Sequence, residues 1–149
     1  MKKIYLLLAI TFLFTVQTKA QEAITNISAK GNVEETVKKL TTVLDSKGLK
    51  VFAVIDHKKG AQSVSMELLP TTLVIFGNPA AGTKLMNCDQ TIGIDLPMKM
   101  LIYEDKEGKT WISYWKPSLL ANKYNLETCQ PILDKLDGAM AKFAAFAAE

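Results

Sequence analysis

Histidine occurs once in this chain, at position 57, directly after Asp56. It closes a run of β-forming residues, so a strand end carries it. An imidazole there can serve as general base, metal ligand or pH-sensitive group. The plainer alternative is a turn residue whose ring bonds a carbonyl. One imidazole cannot make a His-rich zinc site, so carboxylates or thiolates would have to join it. Glu67 and Asp95 are the two nearest in kind, in Glu67-Leu68-Leu69-Pro70 and Asp95-Leu96-Pro97. Each stands at the entrance to an expected strand, and such entrances can converge at one sheet edge. A cluster of His57, Glu67 and Asp95 would suit acid–base or metal chemistry. Against it, loop carboxylates commonly cap backbone N–H groups instead.

Gly77 to Lys84 reads Gly-Asn-Pro-Ala-Ala-Gly-Thr-Lys. A phosphate-binding loop ends Gly-Lys-Ser/Thr. Here Thr83 and Lys84 are exchanged and no βαβ setting surrounds them, so nucleotide hydrolysis is set aside. A weaker expectation stands: backbone N–H groups around Gly82 and Thr83, at a helix start, could hold an anion. The alternative is a structural turn. Cys88 and Cys129, 41 positions apart, are the only cysteines. They form either a disulfide or two separate thiols, and no Cys-x-x-Cys redox motif is present. His57, Met86 and Cys88 are weak candidates for a metal site. Met98 and Met100, on one strand face, would extend it toward soft copper(I) ligation. Alternating Met is more often core filler, and Trp111, Tyr114 and Trp115 more often core or interface than a cofactor box. No specific cofactor is implied.

The elements that must position these groups are legible in the pattern. Ile24 to Ser28 reads as a weak strand. Asn32 caps a helix, with Glu35 completing a capping box, and Val33, Val37, Leu40, Val43 and Leu44 make its apolar face. Gly48 ends it. Val51 to Ile55 is a continuous apolar run, expected to be a central, covered strand closed by residues 56–60. Residues 61–69 are ambiguous. Thr72 to Phe76 is the next strand, residues 77–82 a loop, and a short helix runs through Leu85 and Met86. Two strands, Met98 to Glu104 and Thr110 to Lys116, flank a polar hairpin loop at residues 105–109. Pro117 opens a short helix to about Asn125. A last helix from about Pro131 presents Ile132, Leu133, Leu136, Met140 and Phe143. Strands adjacent in sequence usually pair. The expected fold is therefore α+β, a two-layer sandwich of mostly antiparallel sheet with its long helices on one face.

The N-terminus reads as a processing signal. Lys2 and Lys3 precede a largely apolar run from Ile4 to Val16, and Gln17 to Ala20 turn polar. That run is too short to span a bilayer, which takes about 20 apolar residues. It fits a secretory signal at residues 1–20, cleaved after Ala20, with no stable membrane anchor afterwards and a single domain at residues 21–149. A periplasmic or secreted location follows. Of 18 basic residues, all Lys, removal of Lys2, Lys3 and Lys19 leaves 15 against 15 Asp and Glu. A neutral domain without Arg offers no overall pull on nucleic acid, so none is expected as partner.

The stretch from His57 to Tyr124 resembles the bacterial and archaeal domain-of-unknown-function family 302. The matching pieces are Ile55-Asp56-His57, Leu73 to Pro79, Gly82-Thr83 with Leu85-Met86, Ile94 to Pro97, Tyr103 to Asp105, and Ser113-Tyr114 with Pro117. The resemblance implies a β-α-β(4)-α domain of TATA-binding-protein-like topology that tends to form homodimers. It implies no activity.

Three functions remain. The first is an exported homodimeric binding module, holding a small molecule or metal near His57, Asn78, Gly82, Thr83 and Asp95. The second is a hydrolase-like or other enzyme with His57 as general base and Glu67 or Asp95 orienting it. The third is a ligand-free structural domain that binds a partner. An enzyme needs His57 in a cleft beside a carboxylate; a binder needs only a concave pocket with a few polar groups.

Overall fold

In the computed structural model, residues 24–149 are described. The expected signal segment and its cleavage point lie outside them. β1 (Ile24–Ala29) leads into α1 (Val33–Ser46). The Asn32 side chain accepts from the Glu35 N–H at 2.9 Å, and the Glu35 carboxylate accepts from the Asn32 N–H. That reciprocal box satisfies two of the helix's orphan donors. Beyond its end, Gly48 takes φ +67°, a left-handed conformation that glycine adopts without steric cost. β2 (Lys50–Asp56), α2 (His57–Ser63) and β3 (Thr71–Gly77) follow, then α3 (Pro79–Cys88), β4 (Met98–Glu104) and β5 (Thr110–Trp115). A short 3₁₀ turn at Gln90–Ile94 links α3 to β4, and two more, at Pro117–Asn122 and Glu127–Cys129, lead from β5 to α4 (Gln130–Ala148).

The five strands form one antiparallel sheet in the order β1-β5-β4-β3-β2. This is the β-α-β(4)-α arrangement, with small helices inserted between strands. α1 and α4 pack against each other and cover one sheet face. Leu40 and Leu44 of α1 meet Val74, Phe76, Met100, Ile102 and Ile112 of the sheet and Met140 and Ala144 of α4, all buried. Truncating such a leucine to alanine costs about 2–5 kcal/mol. A second cluster, Leu85, Ile92, Leu126, Cys129 and Leu133, sits under α3 and the turns before α4.

β2 departs from expectation. Its apolar run suggested a central, covered strand, yet the strand order places it at the sheet edge. Phe52, Val54 and Ile55 are 45%, 48% and 40% exposed. The register skips a residue between Val51 and Ala53, a bulge of the kind that blunts an edge. A continuous apolar run reports burial of some kind but does not say which strand fills the middle. The residues read as a closing turn and an ambiguous stretch also resolve differently: Asp56 caps α2, accepting from the Lys59 N–H at 3.0 Å. Residues 64–70 then run without regular structure to β3.

Candidate functional site

Register decides which of the candidate residues can meet. β2 pairs with β3 so that Asp56 faces Thr72 and Lys50 faces Gly77. His57 therefore stands at one end of β3, and Asn78 at the other. Six strand steps separate those ends, roughly 20 Å. Glu67 precedes β3 and shares the end of His57. Asp95 precedes β4, which runs antiparallel to β3 with Met98 opposite Phe76, so it lies at the end of Asn78. The expected cluster of His57, Glu67 and Asp95 is thus not assembled. Entrances to antiparallel neighbours fall at opposite ends of the sheet. For the same reason His57 does not join the Asn78–Thr83 turn. His57 is exposed on α2, and Glu67 is exposed in the following segment. The ion pairs of the described residues are Lys30–Glu149, Lys59–Asp56 and Lys123–Asp95, none involving His57.

Asp95 is engaged locally. The Tyr124 hydroxyl donates to its carboxylate at 2.8 Å and the Lys123 ammonium at 3.0 Å. These partners, Tyr124 foremost, hold the carboxyl below its ordinary value and keep it charged. The same bond holds the Tyr124 hydroxyl above its ordinary value, since ionising it would set a phenolate against a carboxylate. An acid anchored this way is a poor proton acceptor.

The Asn78–Thr83 turn is the first turn of α3 rather than a loop. Pro79 occupies its first helical position and has no N–H. Asn78 Oδ1 accepts from the Ala80 and Ala81 N–H groups at 2.9 and 3.3 Å, and the Gly82 N–H bonds the Asn78 carbonyl at 2.9 Å. The expected anion cradle around Gly82 and Thr83 is therefore filled by the chain's own cap. A swapped phosphate-loop ending is here a capped helix start.

Cys88 and Cys129 are joined in a disulfide, with Cα atoms 6.5 Å apart. The bond ties the end of α3 to the start of α4 through the second apolar cluster. It also removes Cys88 as a thiolate ligand, and with it the weak metal set of His57, Met86 and Cys88. Among the described residues no group of three or more His, Cys, Asp and Glu could hold a metal ion.

Between the two apolar clusters lies an open-sided cavity of about 960 Å³. Phe76, Met98, Met140 and Phe143 supply one wall, and Leu85, Leu96 and Leu136 the other. Asn78, Gly82 and Thr83 line its mouth, so three of the five candidate ligand-binding residues do meet there. Asp95 instead lines an adjoining cavity of about 690 Å³ with Lys99, Trp115 and Lys123. Met98 and Met140 line both. The volume is that of a small-molecule site, mostly apolar with few polar groups.

The cavity walls escaped the sequence pattern because they come from many separate elements. One signal was available: Gly138, a lone glycine inside an Ala- and Lys-rich helix. It lines the cavity, and a Cβ built there meets nothing within 4 Å outside its own helix.

Residues 24–143 match the family described as "Domain of unknown function DUF302". A crystal structure described as an uncharacterized conserved DUF302 protein from Bacillus stearothermophilus superposes with a TM-score of 0.77 at 19% identity. The match covers 86% of this chain and 99% of that one. Two curated relatives, each named fluoride-specific ion channel FluC 1, are 37% identical over 123 residues, or 80% of this chain. They come from Brucella suis biovar 1 (strain 1330) and Brucella abortus biovar 1 (strain 9-941). This chain spans about half of their length, 48% and 46%. Among its described residues no helix is long and apolar enough to cross a membrane.

Proposed function

The chain belongs to the DUF302 family of unknown function, and we propose that it is an exported, homodimeric binding module that holds a small ligand in the cavity beside the Asn78–Thr83 turn. The cavity carries this reading. It is about 960 Å³, within the range of ligand pockets, and its walls are apolar side chains drawn from both apolar clusters. Export is supported by the basic and apolar N-terminal run and by a disulfide, which persists in oxidising compartments. Dimerisation is supported by the sheet face opposite the helices. Leu73, Ile75, Leu101, Tyr103 and Trp111 point to that side, and α1 and α4 cover the other. An enzyme built on His57 lacks support: Asp95 lies a strand length away, and Glu67, at the same sheet end, is exposed like His57 and forms no ion pair with it among the described residues.

Nile red, a neutral apolar dye, tests the cavity without regard to charge. We expect saturable binding at one site per chain that Gly138→Phe removes while the circular dichroism spectrum stays unchanged. Binding that survives Gly138→Phe, or no saturable binding, overturns the reading.

A further inference from the structure

We infer that the cavity takes an amphipathic monoanion of the fatty-acid class, a flexible apolar chain ending in a carboxylate. This rests on the cavity being the binding site proposed above. The inner wall gives a polar ligand little to pair with: Phe76, Leu85, Leu96, Met98 and Phe143 are hydrocarbon or thioether. Asn78 Oδ1, at the mouth, is already taken by two backbone N–H groups. A polar head must therefore stay at the opening.

The charge at that opening has one sign. Lys47 at the end of α1 and Lys135 and Lys142 on α4 line the cavity and are exposed. No Asp or Glu lines it. The acidic neighbours on α4 are occupied elsewhere: Asp134 accepts from Gln130 Nε2 and Asp137 from the Ser118 N–H. Chain 21–149 carries as many Lys as Asp and Glu, so three lysines without a carboxylate mark a local asymmetry, not a general one. Lysine stems lie along apolar surface while their ammonium groups remain in water. That places the positive charge where a carboxylate would emerge from the apolar cavity.

Wall chemistry favours a flexible chain over a rigid ring. Met86, Met98 and Met140 are unbranched and polarisable and adapt to varied shapes. Met98 and Met140 also line the adjoining cavity, so the apolar space is elongated. Gly138 lines it as well, and a Cβ built there meets nothing within 4 Å outside its own helix.

The test displaces Nile red from the disulfide-bonded protein with laurate, dodecanol and dodecylamine, each below its aggregation concentration. An exposed ion pair contributes up to about 1 kcal/mol, about fivefold. With three lysines present, laurate should displace the dye at about tenfold lower concentration than dodecanol, and dodecylamine should be weakest. The triple variant Lys47→Gln, Lys135→Gln, Lys142→Gln should bring laurate level with dodecanol. It alters only exposed side chains, so folding is retained. If dodecanol matches laurate in the native protein, or the triple variant leaves the preference intact, the anion inference is overturned while the pocket stands. If no amphiphile displaces the dye, or Gly138→Phe leaves dye binding intact, both are overturned.

Discussion

Breaking the Cys88–Cys129 bond should destabilise the domain far more than any surface change. The bond closes a loop across 41 residues of sequence. The loop-entropy relation then gives about 4 kcal/mol of stabilisation, from restriction of the unfolded chain. For a domain of this size, each kcal/mol moves the melting temperature by about 3–5 °C, so the expected fall is roughly 12–20 °C. The bridge also lies inside the smaller apolar cluster, with Leu85, Ile92, Leu126 and Leu133 around it. No residue of that cluster lies on a strand, and it is the part expected to open first. Two measurements check this on the double variant Cys88→Ala, Cys129→Ala. Thermal melts compare it with the oxidised protein and with protein under reductant. Amide exchange should rise at residues 85–96 and 120–133 while β3 and β4 stay protected. A fall below about 3 °C, or exchange that rises evenly over the sheet, would refute the assignment of the bridge as the staple of this cluster.

Four further outcomes are expected. Gly138→Ala should stabilise the protein by about 0.5–1 kcal/mol, since glycine inside a helix is unfavourable and the added Cβ meets no neighbour; a lower melting temperature would show that the cavity wall is tighter than described. Asp95→Asn should lower the melting temperature at neutral pH. Because the Tyr124 hydroxyl and Lys123 depress the Asp95 value from 3.8, its contribution is present above that value and disappears as pH falls through the folded-state value. The gap between native and variant proteins should therefore close below about pH 4, and a gap constant with pH would refute the linkage. His57→Ala should change stability by less than about 0.5 kcal/mol and leave Nile red affinity unaltered, as befits an exposed residue at the far end of the sheet; weakened dye binding would restore it to the site. Leu101→Asp, at the middle of the outer sheet face, should convert the proposed homodimer to monomer in sedimentation velocity; a monomeric native protein, or a variant that stays dimeric, would refute an interface on that face.

Several elements were legible because their signals are local. The Asn32 and Glu35 capping box, the Gly48 stop and the polar hairpin at residues 105–109 each depend on residues a few positions apart. The candidate site was legible only in part. Asn78, Gly82 and Thr83 do line the cavity, but as a capped helix start with no free N–H groups for an anion. His57, Glu67 and Asp95 were grouped by residue type, and antiparallel register put Asp95 at the opposite end of the sheet from the other two.

By itself the sequence determined the α+β class, the order of strands and helices, the family, and the caps that start and stop α1. The class, the element order and the caps follow from spacing within a few turns or strand lengths, and the family from its resemblance to pieces spread between Ile55 and Pro117. Only the tertiary structure decided that the apolar β2 is an edge strand, that Cys88 meets Cys129, and that Lys47 and Lys135 share the rim of a cavity with Gly138 between two apolar clusters. Those facts depend on which distant segments become neighbours, and packing of the whole chain settles that where no local spacing can.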